Sequence, residues 1–258
     1  MWVEFKDIYI LNIYMNISLC IPTMDRWEFL KVNIPKYLKN PYIAEIVICD
    51  ENGNDAAKLQ ENFKTDKIRV YVNEKCLGVF YNKRKVASLA IHDTVCIIDS
   101  DNFAPESYFE GFFKFLEGKP FDPMVVYMPS KSLPQRGHTG FDFRKGSNID
   151  ITVKNVNSLF KTMHSVMEGS LNTGNYIISK STLEKARLPL GHEQLGDNCK
   201  AADGYLQNYL LFKYVPGITM KIIYDMEYEH IVHNGSYWIK ESRNTDVSFF
   251  KKLFLEFS

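Results

Sequence analysis

Two aspartates one residue apart follow a short apolar run in the middle of the chain. The run is Val95 to Ile98, and the aspartates are Asp99 and Asp101. An apolar run of this length, rich in β-branched residues, predicts a strand buried on both faces of a parallel sheet. In open α/β sheets, ligands bind just beyond the carboxyl ends of the strands. Two acids there repel each other and lose solvation, which favours a bound cation, although Asp-Ser-Asp-Asn is also ordinary turn chemistry.

Composition limits the classes of protein to which the chain can belong. Its 258 residues fit one large α/β domain or two small ones. The 31 basic and 31 acidic residues balance, so the sequence predicts no nucleic-acid partner. No apolar stretch reaches the ~20 residues of a transmembrane segment. The first residues carry Glu4 and Asp7, where a signal peptide would be basic and then apolar.

The cysteines favour a reducing environment. They number five, an odd count, and form no Cys-x-x-Cys pair and no Cys/His metal spacing. Cys20, Cys49 and Cys96 fall inside predicted strands, where a thiol behaves as a small hydrophobic side chain. These features predict a cytoplasmic protein.

Short strands and amphipathic helices alternate through the first hundred residues. The predicted strands are 17–21, 43–49, 68–72 and 95–98, and helices are predicted over 26–38, from about 56 and over 79–91. This alternation builds βαβ units, and so a mostly parallel sheet with right-handed crossovers. Pro35 predicts a break or kink in the first helix. Residues 9–14 read as an edge strand or an irregular extension.

The second half is less regular. Helices are predicted over 106–116, 159–167, 181–186 and 203–214, and strands over 124–128, 175–178 and 220–224. Residues 129–155, which include Arg136 and His138, show no period and predict a long functional or mobile loop. The amphipathic tail 247–257 has two interpretations. It makes peripheral contact with a membrane surface or partner, or it forms a last helix that closes the core, which we favour.

Several short motifs stand in a fixed order between residues 17 and 238. They are Ile21-Pro22-Thr23, Asp50 before an Asn/Gly/Asp turn, Asn73 through Gly78 to Asn82, Asp99-Ser100-Asp101, Gly174-Asn175, Asp203 to Leu206, and His233 to Ser236. Each motif is common by chance, but the ordered set is fairly specific. It resembles the GT-A glycosyltransferases, and most closely their large inverting family 2.

The resemblance implies an α/β protein with the GT-A fold. That fold is a three-layer α/β/α sandwich around a mostly parallel, mixed central sheet, with a Rossmann-like N-terminal half. Residues 1–258 would form one domain. In it, 17–102 would bind the nucleotide, 103–238 the acceptor, and 239–258 would form a C-terminal helix or tail.

The implied activity is metal-dependent, inverting transfer of a sugar from a nucleoside-diphosphate sugar. A UDP-sugar is favoured as donor, and the acceptor is a hydroxyl group on a glycan, lipid or protein. Mn²⁺ or Mg²⁺ stabilises the negative charge that the diphosphate gains as it leaves. Water and phosphate supply most ligands of such ions, so one or two protein ligands suffice. The resemblance assigns these to Asp101 and to His233, with His230 as the alternative to His233.

The remaining roles also follow from the resemblance. Asp99 would meet the ribose or a metal-bound water, and Asp50 the imide N–H of the base. The rest of the donor pocket would comprise Pro22, Thr23, Asn82, Lys83 and Ser100, with Gly174 and Asn175 beside the acceptor or donor sugar.

The catalytic base is assigned to Asp203. The competing interpretation is that Asp203 only caps a helix, where the helix N-terminus would lower its pKa. Glu193 and Asp197 are the second candidates for acid–base work.

Two positions depart from the family pattern, and three other classes compete. Ala202 stands where the family has Glu before the catalytic Asp, and Tyr81 where it has Arg before Asn. A sugar nucleotidyltransferase would need a Gly-rich loop after the first strand, but Pro22 to Arg26 contain no glycine. Haloacid-dehalogenase-like phosphotransferases carry Asp-x-Asp on the first strand rather than the fourth. A catalytically degenerate GT-A-like binding domain is the third alternative.

Overall fold

The structure is a computed structural model that describes residues 15–133 and 140–257. The predicted edge strand or extension at residues 9–14 lies outside the described residues. So do Arg136 and His138 of the predicted loop.

One mixed sheet organises the described part of the chain. Its eight strands run in the order β3-β2-β1-β4-β7-β5-β8-β6. β1 is parallel to β2 and β4, and β2 to β3, whereas β7 is antiparallel to both β4 and β5. The predicted parallel N-terminal half and the mixed character of the sheet are thus confirmed. The strands are β1 (Ile17–Thr23), β2 (Ile43–Asp50), β3 (Ile68–Val72), β4 (Thr94–Ile97), β5 (Val125–Leu133), β6 (Asp150–Thr152), β7 (Tyr176–Ser179) and β8 (Thr219–Glu229).

Helices cover both faces of the sheet. In the described residues they are α1 (Trp27–Lys39), α2 (Asn54–Asn62), α3 (Val79–Ser88), α4 (Glu106–Leu116), α5 (Val156–Thr162), α6 (His164–Leu171), α7 (Lys180–Lys185), α8 (Glu193–Asn198), α9 (Asp203–Tyr214), α10 (Tyr237–Glu241) and α11 (Val247–Lys252). The predicted helix over 159–167 is wrong, because α5 ends at Thr162 and α6 begins at His164.

Two apolar cores fill the space between the layers. Alternate residues of a strand face opposite sides of a sheet. Leu19 and Ile21 of β1 accordingly pack with α1 and α4, while Cys20 packs with α3 and α9 on the other side. The predicted three-layer α/β/α sandwich is therefore confirmed.

Two local predictions fail for identifiable reasons. α1 continues through Pro35 to Lys39. The carbonyl that loses its partner there belongs to Lys31, an exposed residue where water can replace it. Much of the predicted 129–155 loop is structured. β5 runs on to Leu133 because it pairs with the long β8, across a register shift between Pro129 and Lys131.

The C-terminal tail closes the core, which confirms the favoured of its two interpretations. α11 leads into a 3₁₀ turn over Leu253–Glu256. Phe250 and Phe254 are buried, whereas Phe249 is 42% exposed. None of the described helices is long and apolar enough to cross a membrane.

Candidate active site

A cleft of about 860 Å³ runs along the edge of the sheet where the parallel strands end. Thr23 closes β1, Glu51 follows β2, and Asp99 follows β4, and all three line this cleft. The antiparallel β7 begins at the same edge, because its Tyr176 pairs with Ile97 at the end of β4. Asn175 is therefore brought beside Asp99, whose backbone N–H it accepts at 2.8 Å.

Lys83 of α3 joins two of the predicted site carboxylates. Its Nζ lies 2.8 Å from Asp99 Oδ1 and 2.8 Å from Asp203 Oδ2, with only 13% of its side chain exposed. A Cβ at Gly174 would stand 3.0 Å from this Nζ, so the glycine leaves room for the lysine. Gly204 allows α9 to approach the backbone of Asn172, since a Cβ at this position would lie 2.4 Å from the Asn172 carbonyl oxygen. This close approach places Asp203, the first residue of α9, in the cleft.

The charges of this group are interdependent. Burial alone would lower the pKa of Lys83, but the charges of Asp203 and Asp99 outweigh it and raise that pKa. Burial raises the pKa of the Asp203 carboxyl; Lys83 opposes the rise and the like charge of Asp99 supports it. The alternative in which Asp203 caps α9 is wrong, because the N-cap position is Ala202 and no side chain caps the helix. A carboxylate with a raised pKa is suited to accept a proton.

Asp101 faces two cationic or basic side chains. His233 Nε2 lies 3.1 Å from Asp101 Oδ2, and Arg26 Nε lies 3.6 Å from the same oxygen. Arg26 also donates through Nη2 to the Gly235 carbonyl at 2.6 Å, which ties the β1–α1 loop to the chain after β8. Sequence reasoning missed Arg26, because its partners are distant in the chain.

The fit of a divalent cation here depends on both side chains. Two ligand atoms at right angles around Mg²⁺ or Mn²⁺ lie about 3 Å apart, because each sits about 2.1 Å from the ion. The observed 3.1 Å between Asp101 and His233 matches that spacing. However, His233 Nδ1 accepts a hydrogen bond from Gly235 N–H at 3.1 Å, so this nitrogen carries no proton here. In a histidine that binds a metal through Nε2, Nδ1 carries the proton and donates it to a hydrogen bond. Asp101 fits as it stands, and His233 fits once that contact is released.

Other oxygens must complete such a coordination shell. Among residues 15–133 and 140–257, no three His, Cys, Asp or Glu side chains are grouped to hold a metal ion. The other ligands would be oxygens of water and of the diphosphate, as is usual for Mg²⁺ bound beside phosphates.

The predicted role of Asp50 is not supported by its position. Asp50 is 0% exposed, and its Oδ2 accepts the backbone N–H groups of Asp55 and Ala56, each at 2.9 Å. It therefore holds the start of α2 and does not line the cleft. The next residue, Glu51, does line it. The alternation of side chains along β2 could have shown that only one of these neighbours faces the ligand.

Glu51 is fixed by the loop before α3. Its Oε2 accepts from Leu77 N–H at 2.7 Å and from Asn73 Nδ2 at 3.0 Å. No described residue donates to its Oε1, which leaves that oxygen for a ligand. Asn82 supports the same loop, accepting from Asn73 at 3.1 Å and donating to the Cys49 carbonyl at 3.0 Å.

The remaining predicted residues divide into two groups. Pro22, Thr23 and Ser100 line the cleft with the residues above. Thr23 Oγ1 donates to Asp55 Oδ2 at 2.6 Å, which holds the end of β1 against α2. Glu193 and Asp197 of α8 are exposed and do not line the cleft.

Comparison with known proteins identifies the family of the chain. The model of a family described as glycosyl transferase family 2 matches residues 18–166. Glucosyl-dolichyl phosphate glucuronosyltransferase of Haloferax volcanii is 24% identical over 109 residues, which are 41% of this chain and 35% of that protein. The chain thus spans about a third of the length of this curated relative.

Solved structures show the same fold. S. aureus TarS 1–349 in complex with UDP superposes with a TM-score of 0.60 at 15% identity, covering 94% of this chain and 70% of that one. The complex of TarS 1–349 with UDP-GlcNAc gives a TM-score of 0.60 at 13% identity, over 94% and 71% of the two chains. At these identities the likeness concerns the fold alone, and it is the GT-A fold.

Proposed function

Since the chain belongs to glycosyltransferase family 2, we propose that it is an inverting enzyme that moves a sugar from a UDP-sugar to an acceptor hydroxyl. The observation that carries the proposal is the group formed by Asp99, Lys83 and Asp203 at the carboxyl end of β4. It joins a site for the leaving diphosphate to a buried carboxylate that can take the acceptor proton. UDP as the nucleotide of a solved structural neighbour is consistent with this donor.

The nucleotide half of the cleft is assigned to residues 17–102. Glu51 Oε1, rather than Asp50, is the acceptor for the imide N–H of uracil, with Thr23 and Pro22 beside it. Asp99 and Ser100 stand where the ribose and the first phosphate would lie. Asn82 keeps the loop before α3 in place under the nucleotide.

The diphosphate is assigned to the cationic side of the cleft. Asp101, with His233, would hold Mn²⁺ or Mg²⁺, which when bound stabilises the charge that develops on the leaving group. Arg26 and Lys83 add two protein cations beside that position. Tyr81, which replaces the family's Arg, instead donates to the Glu193 carbonyl at 2.9 Å, so it supplies no charge.

Transfer then needs one proton acceptor. The acceptor hydroxyl oxygen bonds to the anomeric carbon as its proton passes to the Asp203 carboxylate. The anomeric C–O bond breaks, and its electron pair leaves with the diphosphate. In this structure Lys83 forms an ion pair with Asp203. A bound diphosphate would compete for the positive charge of Lys83. Asp203 would then be a stronger base, because the lysine charge that lowers its pKa would be partly withdrawn. Residues 103–238 would bind the acceptor, with Gly174 and Asn175 at the junction of the two halves.

A thermal-shift panel tests the proposal. UDP, GDP and dTDP, each as the free nucleotide and as sugar conjugates, are added with Mn²⁺, and donor hydrolysis is followed in parallel. We expect UDP and its conjugates to raise the melting temperature in wild type. Asp101→Asn, which keeps the shape of the side chain, should lose the part of the shift that requires Mn²⁺. No shift with any of these nucleotides would overturn the proposal.

A further inference from the structure

A tryptophan is left open on the acceptor side of the cleft. Trp238 lies in α10, lines the cleft and is 47% exposed. Within the described parts of the chain, no aromatic ring packs on its indole and no group accepts its Nε1–H. A flat apolar face that carries one polar donor is costly to leave in water and suits an amphipathic ligand.

The helix that carries Trp238 is tied to the segment before Asp203. Lys200 Nζ lies 2.9 Å from Glu241 Oε2 at the end of α10. Thr245 Oγ1 donates to the Glu241 carbonyl at 2.9 Å and accepts from Ala201 N–H at 3.3 Å. These contacts hold α10 on the turn Lys200–Ala202, whose next residue is Asp203.

The same turn contains an unfavourable backbone conformation. Lys200 has φ of +31°, in the region that L-residues rarely adopt. Such strain persists where the surrounding contacts require it, and it clusters at functional sites. Here the strained residue is the one that forms the ion pair with α10, so the position of Trp238 relative to Asp203 is fixed by several contacts.

Charge limits what can bind beside Trp238. Among the described residues that line the cleft, the Lys and Arg side chains are Arg26, Lys83 and Lys200, and each already faces a carboxylate. Glu168 adds a further acid on this side, where its Oε1 pairs with Lys251 at 2.7 Å. Arg26 and Lys83 are assigned above to the donor diphosphate. Of the described lining residues, a phosphorylated acceptor would therefore be left with Lys200, whose charge Glu241 already neutralises. The acceptor side therefore favours an uncharged ligand.

We propose that α10 forms an acceptor subsite in which Trp238 stacks against a pyranose ring of a neutral glycan. This rests on the proposed function, because it names the acceptor class of the same cleft. A pyranose has an apolar C–H face for the indole and hydroxyl groups at its rim for Nε1–H and Glu168. Lys200 is a positioning residue, because its ion pair with Glu241 fixes α10. It thereby fixes the distance between the stacked sugar and Asp203.

The test measures acceptor and nucleotide binding separately. Ligand-observed NMR, with UDP and diamagnetic Mg²⁺ present, follows the binding of neutral trisaccharides of glucose, mannose and N-acetylglucosamine. A second set of samples contains ribitol 5-phosphate or glycerol 3-phosphate instead. The variants are Trp238→Ala, Trp238→Phe, and Phe249→Ala as an exposed aromatic control off the cleft. We expect a neutral trisaccharide to bind, with Kd raised about tenfold or more in Trp238→Ala. Trp238→Phe should restore most of the affinity, and Phe249→Ala should match wild type.

Each other outcome counts against the inference. Tighter binding of a polyol phosphate than of every trisaccharide would overturn it, as would a Kd unchanged by Trp238→Ala. Binding of UDP without any trisaccharide would also overturn it, while the proposed nucleotide-sugar function would stand. A wild-type protein that does not bind UDP would overturn the proposed function and the inference together. UDP affinity and melting temperature of each variant show whether it is folded.

Discussion

At the scale of single residues, one substitution distinguishes a catalytic role of Asp203 from a purely structural one. Asp203→Asn keeps the size of the side chain but cannot accept a proton. Since a general base contributes ~10²–10⁴ in rate, we expect kcat to fall by about that factor, with UDP affinity retained. Asp197→Asn, exposed on α8, is the matched control and should turn over like wild type. Normal turnover of Asp203→Asn would remove Asp203 from the mechanism.

The pH dependence follows from the same carboxyl group. Its pKa is raised by burial above the ordinary value of 3.8, and only the deprotonated form can take the acceptor proton. We therefore expect kcat/KM to fall as the pH decreases through this raised pKa, so that the acidic limb lies above pH 3.8. The residual activity of Asp203→Asn should lack that limb. An identical acidic limb in the variant would assign it to another group.

Two adjacent acids should give opposite responses. Glu51→Ala is expected to weaken UDP binding by ~1–3 kcal/mol, the usual cost of losing a charged partner of a buried donor. UDP and UDP-sugars should be affected equally, because they share the base. Asp50→Ala should instead lower stability by ~1–2 kcal/mol through loss of its cap on α2, with UDP affinity preserved. Calorimetry and melting curves distinguish the two, and the reverse pattern would restore Asp50 as the base ligand.

At the scale of secondary-structure elements, Glu45 links three parts of the sheet. The side chain of this β2 residue accepts from Ser18 Oγ of β1 at 2.6 Å, from Ile91 N–H at 2.9 Å and from Arg69 of β3. Burial alone would raise its pKa, but these hydrogen bonds outweigh burial and lower it below the ordinary 4.5. A carboxyl with a lowered folded-state pKa stabilises the fold above its unfolded pKa and loses that effect as the pH falls.

The corresponding prediction concerns stability against pH. Glu45→Gln should unfold ~1–3 kcal/mol more easily than wild type at pH 7. The difference should shrink as the pH falls from 4.5 through the lowered pKa of folded Glu45, where the wild-type side chain loses its charge. Urea unfolding at several pH values measures it, with Glu110→Gln on the exposed face of α4 as control. A pH-independent difference would mean that the charge of Glu45 contributes nothing.

At the scale of the whole molecule, the C-terminal tail shares a core with helices α5 and α9. Phe254 is 0% exposed and its ring meets those of Phe160, Tyr205, Tyr209 and Phe212. Truncating a buried phenylalanine costs ~3–5 kcal/mol, so we expect Phe254→Ala to lower the free energy of unfolding by that amount. Phe249→Ala, nearby but 42% exposed, should change it by less than about 0.5 kcal/mol. Equal effects in urea unfolding would contradict a tail that closes the core.

The sequence by itself determined the order and type of the main elements. Apolar periodicity and turn residues depend on neighbours in the chain, so α4 and α9 begin and end where that pattern predicts. The alternation of strands and helices also placed Thr23 and Asp99 at one edge of the sheet, because parallel strands share their carboxyl ends.

Only the tertiary structure decided how the site is assembled from those parts. The antiparallel entry of β7 between β4 and β5 brings Asn175 to Asp99. Lys83 meets Asp203 across two distant helices. The packing of Asp50 against the start of α2 leaves Glu51, rather than Asp50, to line the cleft. Such pairings arise from contacts between remote segments, whose geometry local periodicity does not encode.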